Sequence, residues 1–306
     1  MHGAGCMKGV RMTSGRGKRP AFLLWFLLIP LMGGCSMKAM AVRSMDPIMD
    51  DMNIAVNRNT DVDMMRDALP AFLVQMDGLI LSAPSEKLLL KAAEANFGYA
   101  NAFIEDTDKP RASALYLKAR GYAARALIGG KDFEKDFNVQ LAAFRENLSE
   151  YDRGDVPALF WTANCWLAWV AINLDSPEAI MDMPKAQAML QRVLELDETY
   201  YHGSAHAALG AIYAAQPAIM GDSSAKAKAH FDRAFAISGR KLLFIQLFYA
   251  QFYAYQIQDR DLFVTTLEEI IATPHESFPD RAFANEVAKR KARVLLDNVV
   301  IGRAHV

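Results

Sequence analysis

From about residue 61 onward, apolar residues recur at intervals of three and four positions, and few stretches alternate with a period of two. Intervals of three and four place side chains on one face of an α-helix, whereas strict alternation is typical of a strand. The pattern therefore predicts an all-α chain. The predicted helices span residues 61–82, 86–104, 110–128, 132–148, 155–173, 184–197, 201–216, 223–238, 241–257, 260–273 and 279–300.

Short breaks between these helices carry residues that are unfavourable in a helix interior. Ala83-Pro84-Ser85 and Gly221-Asp222 are examples, since proline lacks a backbone N–H and glycine loses more backbone entropy on folding. Gly129-Gly130-Lys131 lacks the rest of a phosphate-loop motif and is predicted to end a helix. Pro70 should kink the first helix or mark its start. Many helices with short connections indicate antiparallel pairs.

Residues 206–235 have spacings that resemble the tetratricopeptide repeat, a pair of packed helices. The matching positions are Leu209-Gly210, Tyr213, Ala227, Phe231, Ala234 and Phe235. Residues 184–197 contain a second copy of the repeat's second helix, and residues 112–127 and 260–273 look like more degenerate copies. Helix pairs that bury a face only by stacking form a curved array. The predicted fold is thus a degenerate tetratricopeptide-like α-solenoid of antiparallel hairpins with a concave surface.

The N-terminus has the order of a secretory signal, in which basic residues precede an apolar run and small residues follow it. Five basic residues precede the run 21–32, which is closed by Gly33-Gly34-Cys35. Twelve apolar residues are too few to cross a bilayer, which takes about 20. This ending resembles the lipobox of bacterial lipoproteins, in which Cys35 would be acylated and become the first mature residue. The alternative is an uncleaved signal anchor with an ordinary thiol at Cys35, and Met7 and Met12 are alternative starts.

This interpretation divides the chain into a signal peptide over 1–34, a lipidated tether over 35–60 and a single helical domain over 61–306. The tether is rich in methionine, weakly patterned and predicted to lead into one short helix. The lipid anchor would hold the domain on a bacterial membrane, facing the periplasm. Ser36, in place of an aspartate after the cysteine, favours the outer membrane over the inner one.

The charge and the cysteine content of the chain limit its binding partners and its covalent cross-links. Removal of the five basic leader residues leaves 29 basic against 35 acidic residues, a net charge of −6, and the chain has no basic block. Nucleic acid is therefore not expected as a partner. Cys165 is the one cysteine besides Cys35 in the mature chain. No intrachain disulfide can form if Cys35 is acylated, so stability must come from packing.

The segment 160–169 contains three of the four tryptophans in the chain. On a helix, Trp161, Trp166 and Trp169 spread over about 140° of surface. Such a wide aromatic stripe favours a place in the core, and the alternative is the wall of an apolar ligand pocket. Asn101 is a polar residue in an otherwise apolar helix and needs a hydrogen-bond partner when buried.

Candidate catalytic and metal-binding residues are few. His202 and His206 lie four positions apart at a helix start, but neither a third ligand nor an HExxH motif accompanies them. The sequence contains no Ser/His/Asp arrangement, no paired catalytic carboxylates and no cofactor fingerprint. We therefore predict a protein that is not an enzyme and has no cofactor or metal. The hypothesis of an enzyme rests on the two histidines alone.

Several strings, in order over nearly the whole mature chain, resemble the TatT component of tetratricopeptide-repeat-associated TRAP transporters. They are FGYANAFIE (97–105), LYLKARGYAARAL (115–127), FWTANCW (160–166), LQRVLELD (190–197), GSAHAALGAIY (203–213), AKAKAHFDRAFAIS (225–238) and ANEVAKRKARVLL (284–296). The chain departs from the family pattern at Phe160 (usually tyrosine), at Glu198 (usually proline) and at Gly221, which is single where a pair is common. Only the last departure bears on structure, because it leaves the shape of the 216–223 loop open.

The resemblance implies an all-helical periplasmic lipoprotein that forms a homotrimer around a central channel. It also implies a periplasmic solute-binding protein, the TRAP P component, as the partner, and hydrophobic compounds such as organic acids or lipids as ligands. For the ligand-facing wall we predict Tyr99, Asn101, Trp161, Trp166 and Tyr213, although the same residues would serve equally well in repeat packing. The alternative function is an outer-membrane scaffold lipoprotein whose concave face binds peptide segments of an envelope assembly complex.

Overall fold

The computed structural model describes residues 37–128, 139–216 and 222–304. The predicted signal peptide, Cys35, the Gly129-Gly130-Lys131 break and Gly221 lie outside the described residues. Within them the chain is helical and contains no strand, so the all-α prediction is confirmed. None of the described helices combines the length and the apolar composition that crossing a membrane requires.

The observed helices follow the predicted ones closely. Short 3₁₀ segments lie at Arg153–Asp155, Tyr200–Gly203, His275–Ser277 and Pro279–Arg281. The α-helices are α1 (Asp46–Arg58), α2 (Val62–Ser82), α3 (Glu86–Tyr99), α4 (Lys109–Ile128), α5 (Leu141–Leu148), α6 (Val156–Ile172), α7 (Pro177–Asp197), α8 (Ser204–Ala215), α9 (Ser223–Ser238), α10 (Leu243–Phe248), α11 (Arg260–Ala272) and α12 (Ala282–Ala304).

Side chains immediately before several helices cap their first turns. Asp61 accepts a hydrogen bond from the Met64 N–H at 2.9 Å before α2, and Asp259 accepts one from the Leu262 N–H at 2.9 Å before α11. Such caps pair backbone donors that have no partner within the helix. Helix α2 begins at Val62 and continues through Pro70, so Pro70 does not mark its start. Helix α7 begins at Pro177, seven residues before its predicted start.

Two stretches predicted as continuous α-helix contain π-helical turns. Residues Ala100–Ile104 extend α3, and Tyr249–Ala254 extend α10, as π-helix. A π-helical turn inserts one extra residue and is frequent at functional sites. The first of these turns carries Asn101 and shifts its position around the helix relative to the residues of α3.

Helices that follow one another in the chain pack together, α2 on α3, α3 on α4, α6 on α7 and α8 on α9. This is the stacking that the repeat pattern predicts. In the α8–α9 pair, Gly210 faces the ring of Phe231, which explains why a small and a large residue recur at these positions.

The two ends of the array come together, which the repeat pattern did not predict. Helix α1 packs on α12 and on the 3₁₀ turn Pro279–Arg281. Arg290 of α12 forms a two-pronged ion pair with Asp63 of α2, at 2.8 and 2.9 Å. Met49 of α1 is buried in the main core. The second half of the predicted tether thus belongs to the folded body, and the array closes around an interior cavity.

Candidate functional site

An apolar cavity of about 160 Å³ lies where the first, middle and last helices meet. Residues of α1, α2, α3, α6, α8, α10 and α12 line it, together with the π-turn after α3 and the turn before α8. An engineered cavity of roughly 150 Å³ with an apolar lining stays dry and binds benzene. The space is therefore sufficient for a small apolar group, and its open side leaves room for a longer chain.

Aromatic rings in mutual contact form one wall of the cavity. The Trp161 ring lies 5.6 Å from that of Phe97 and 5.1 Å from that of Tyr201, each time edge to face. Phe160 contacts the Tyr201 ring at 5.3 Å. Edge-to-face pairs add about 0.5–1.5 kcal/mol each beyond the burial of their area. The wall is thus held in one arrangement before any ligand enters.

Glu94 and Tyr201 line the polar end of the cavity, and both contact Arg281, which lies outside the lining. The Arg281 Nη1 lies 3.1 Å from the Glu94 Oε1, and the Tyr201 hydroxyl donates to the same Glu94 oxygen at 3.0 Å. Arg281 also donates to the Tyr201 hydroxyl at 3.2 Å, and its guanidinium lies 4.4 Å from the centre of the Tyr201 ring. The three groups join α3, the 200–203 turn and the start of α12.

The backbone around Tyr201 is strained. Tyr201, His202 and Gly203 have φ values of 46°, 61° and 76°, which place three consecutive residues in the left-handed region. Left-handed backbone costs a non-glycine residue about 1–3 kcal/mol and persists where the surroundings enforce it. Here the ring contacts of Tyr201 and its bond to Glu94 supply that enforcement, and the strained turn brings the Tyr201 side chain into the cavity wall.

Burial keeps the two tyrosines of this turn protonated. Burial and the nearby Glu94 carboxylate raise the pKa of Tyr201 well above its ordinary value. Burial, with a further contribution from Glu94, raises the pKa of Tyr200 to about 12. The Tyr201 hydroxyl therefore remains a donor to the Glu94 carboxylate.

Three of the five predicted wall residues line this cavity. Tyr99, Asn101 and Trp161 belong to its lining, and Tyr99 and Trp161 are almost completely buried. The Asn101 amide donates to the Glu105 Oε2 at 3.3 Å, which supplies the hydrogen bond expected for this residue. The tertiary structure brings these three residues together, and their contact with a ligand stays a prediction.

The other two predicted residues lie away from this cavity. Trp166 is buried in the core, where its indole N–H donates to the Asp182 Oδ2 at 3.0 Å. Tyr213 stacks on the His230 ring with 5.4 Å between centroids. The aromatic stripe of α6 is therefore divided: Trp161 faces the cavity, whereas Trp166 packs between helices.

The two histidines that lie four apart do not face each other as on a continuous helix. His202 lies in the left-handed turn and contacts Phe278, with 4.9 Å between ring centroids. His206 instead meets His230, with 2.9 Å between the two Nδ1 atoms. In the described part of the chain, no group of three or more His, Cys, Asp or Glu side chains is arranged to hold a metal ion.

The sequence did not single out the residues at the polar end. Glu94 is one of many charged residues on a helix, and its partners Tyr201 and Arg281 lie 107 and 187 positions further along the chain. Tyr201 had one local indication, since Gly203 interrupts the helix predicted over 201–216. No local sequence pattern indicates Arg281, because its pairing with Glu94 forms only when the two ends of the array come together.

The chain is similar to known proteins over most of its length. The family described as TRAP transporter T-component matches residues 58–300 of the chain, a range that takes in every helix from α2 to α11 and most of α12. An uncharacterized protein of Treponema pallidum (strain Nichols) is 24% identical over 300 residues. That similarity covers 88% of this chain and 93% of the relative.

Proposed function

The chain belongs to the TRAP transporter T-component family, and we propose that it serves such a transporter as a lipid-anchored adaptor that holds an apolar ligand. The family supplies accessory components of TRAP transporters and is not a family of enzymes. In this proposal the protein is a periplasmic homotrimer that docks the solute-binding P component. The P component would take up the ligand from the cavity or deliver it there.

The cavity is the observation that carries the ligand-holding part of the proposal. Its lining is mostly apolar and aromatic, with a few amide side chains and the Glu94 carboxylate, whose partner Arg281 lies outside the lining. Binding sites for small molecules have this composition, since apolar walls supply affinity and a few polar groups orient the ligand. The three predicted residues Tyr99, Asn101 and Trp161 would contact the ligand there.

An apolar face near the N-terminus supports the anchor. Residues 37–44 and α1 are helical on either side of a turn at Met45, and six large apolar side chains of this segment are exposed, with Met37 and Met40 at 67% and 68%. The others are Met45, Ile48, Met52 and Ile54. Met37 and Met40 lie three positions apart on the first helix, and Ile48 and Met52 lie four apart on α1, so each pair shares one side of its helix. Such a face can lie in the membrane interface beside an acyl chain at Cys35.

Tryptophan fluorescence tests the ligand cavity. Titration of the protein with octanol should change its emission, because Trp161 lines the cavity and senses an occupant. Trp161→Phe should lose the response, and Trp166→Phe, which alters a tryptophan outside the cavity, should keep it. A response that disappears with Trp166 and persists without Trp161 would place the ligand elsewhere.

Native extraction tests the adaptor role. Affinity purification of the protein from membranes solubilised in mild detergent should recover a periplasmic solute-binding protein. Sedimentation of the purified complex should give three copies of the chain. Cys35→Ala should move the protein from the membrane to the soluble fraction of the periplasm, yet leave its binding to that partner intact. Recovery of envelope assembly factors in place of a solute-binding protein would support the scaffold alternative.

A further inference from the structure

We propose that the cavity selects ligands whose polar end is uncharged, and that Glu94 enforces this selection by occupying Arg281. The inference rests on the proposed function, in which the cavity holds an apolar ligand. It states that apolar compounds with a neutral head group bind there in preference to organic acids. It follows from how the charged groups at the cavity are already paired.

Glu94 is the charged residue that lines the described cavity, and the basic group a ligand carboxylate would seek, Arg281, lies outside the lining with its contacts already made. Arg281 pairs with Glu94 at 3.1 Å, donates to the Tyr201 hydroxyl at 3.2 Å and lies over the Tyr201 ring. A fourth contact joins it to the Asn57 Oδ1 at 3.4 Å. Its side chain is 19% exposed and that of Glu94 is 24% exposed, so water screens the pair only in part.

A second carboxylate makes the surroundings of the π-turn unfavourable for an anion. Glu105 accepts hydrogen bonds from the Asn101 amide and from the Tyr116 hydroxyl, and both donors are neutral. The Asn101 amide, which lines the cavity, is thus oriented by a negative charge behind it. A ligand carboxylate beside Asn101 would be repelled by the Glu105 carboxylate, because the neutral Asn101 amide cannot compensate that charge.

An ionised ligand would therefore have to displace Glu94 from Arg281 and leave one of two carboxylates without a partner in an apolar cavity. Removal of a charge from water without a partner is strongly unfavourable. A hydroxyl carries no such penalty and can hydrogen-bond to the amide oxygens in the lining. The pairing at the polar end thus favours a neutral head group, and the apolar wall favours the hydrocarbon part.

Octanol and octanoate are matched probes, because they share a chain length and differ in charge at pH 7. Affinities are measured by calorimetry on the full-length protein and on two variants. For the wild type, octanol should bind about tenfold or more tightly than octanoate. Glu94→Gln frees Arg281 from its charged partner, so it should raise the octanoate affinity about tenfold and thereby remove most of the preference for octanol.

Asp77→Asn is the control, since it removes a carboxylate from a similar group outside the cavity. Asp77 pairs with Lys118 at 2.5 Å and accepts from the Tyr122 hydroxyl at 2.6 Å. This variant should keep the wild-type preference for octanol. Circular dichroism of both variants verifies that the fold is retained.

The binding results distinguish a failure of the ligand cavity from a failure of the selection by Glu94. If the wild type binds neither probe, the ligand cavity of the proposed function fails and the inference fails with it. If octanoate binds the wild type as tightly as octanol, the cavity stands and the inference alone is wrong. An unchanged preference in folded Glu94→Gln would also overturn the role of Glu94.

Discussion

The ring of Phe231 lies 2.9 Å from the position that a Cβ atom on Gly210 would occupy. This contact sets the closest approach of α8 and α9, and Phe231 itself is fully buried. A methyl group at position 210 would overlap the ring, and neither helix can move without disturbing the packing on its other side. The small-and-large spacing of the repeat therefore has a direct steric cause.

Gly210→Ala should destabilise the protein by about 1–3 kcal/mol, because overpacking a filled core forces side chains and backbone to shift. Gly121→Ala is the matched control, since position 121 lies within α4 and has no atom within 4 Å of an added Cβ. That change should stabilise the protein by about 0.5–1 kcal/mol through helix propensity. Urea unfolding measures both; equal effects of the same sign would contradict the steric account.

Stability should fall as the pH drops from about 6.5 towards 4 because of His230. Burial and the neighbouring His206 lower the pKa of His230 to about 4 in the folded protein. Since the unfolded chain binds the proton near pH 6.5, it holds more protons than the folded chain between these values. The contribution of His230 is thus complete above pH 6.5 and is lost progressively towards pH 4.

The size of this loss is about 2 kcal/mol, since each pKa unit corresponds to about 1.4 kcal/mol and His230 is partly exposed. Burial also lowers the pKa of His206, which adds in the same direction. Urea unfolding at pH 7 and pH 5 measures the change. His230→Gln should be less sensitive to pH over this range; the same sensitivity in the variant would assign the effect to other groups.

The Cys165 thiol should be inert in the folded protein. Cys165 is completely buried in α6, and this burial raises the pKa of its thiol well above the ordinary value. The thiolate is the reactive form, so both access and ionisation are lacking. Iodoacetamide at pH 8 should leave Cys165 unlabelled in native protein and label it in urea, as peptide mass spectrometry can show. Labelling without denaturant would indicate that α6 opens locally.

Loss of Arg281 should destabilise the protein more than loss of its neighbour Arg58. Arg281 and Glu94 are mostly buried, whereas Arg58 and Asp280 pair at 2.7 Å with 59% and 67% of their side chains exposed. Removal of one partner leaves a carboxylate unpaired, which is costly only where water is excluded. We expect about 2 kcal/mol for Arg281→Met and about 0.5 kcal/mol or less for Arg58→Met in thermal unfolding. Equal losses would argue against a buried pair.

Local sequence accounts for the helices of this protein. The periodicity of apolar residues and the residues at the breaks placed nearly every described helix within a few positions, since both act within one or two turns of the chain. The alternative start at Pro70 and the late start predicted for α7, at Pro184, have the same origin. A proline discourages a helix locally, but packing of the flanking turns can hold the helix through it.

The candidate site was only partly accessible to such reasoning. Trp161 and Tyr99 are large aromatics on apolar helices, so a place in a wall or a core was foreseeable. Which of Trp161 and Trp166 faces the cavity was not, because both satisfy the same spacing. The π-turn at Asn101 and the left-handed backbone of Tyr201 also escape a periodic pattern, since each is a departure from it.

The sequence by itself determined an all-α chain of packed helices with a tetratricopeptide-like pair, because helix periodicity and small-and-large packing are encoded within about 30 neighbouring residues. The tertiary structure alone decided that the array closes, and that Glu94 meets Arg281 at the cavity. The partners in both cases lie far apart in the chain, as do Asp63 and Arg290 across 227 positions. Contacts of that kind depend on the summed angles between all the intervening helices, which no local spacing specifies.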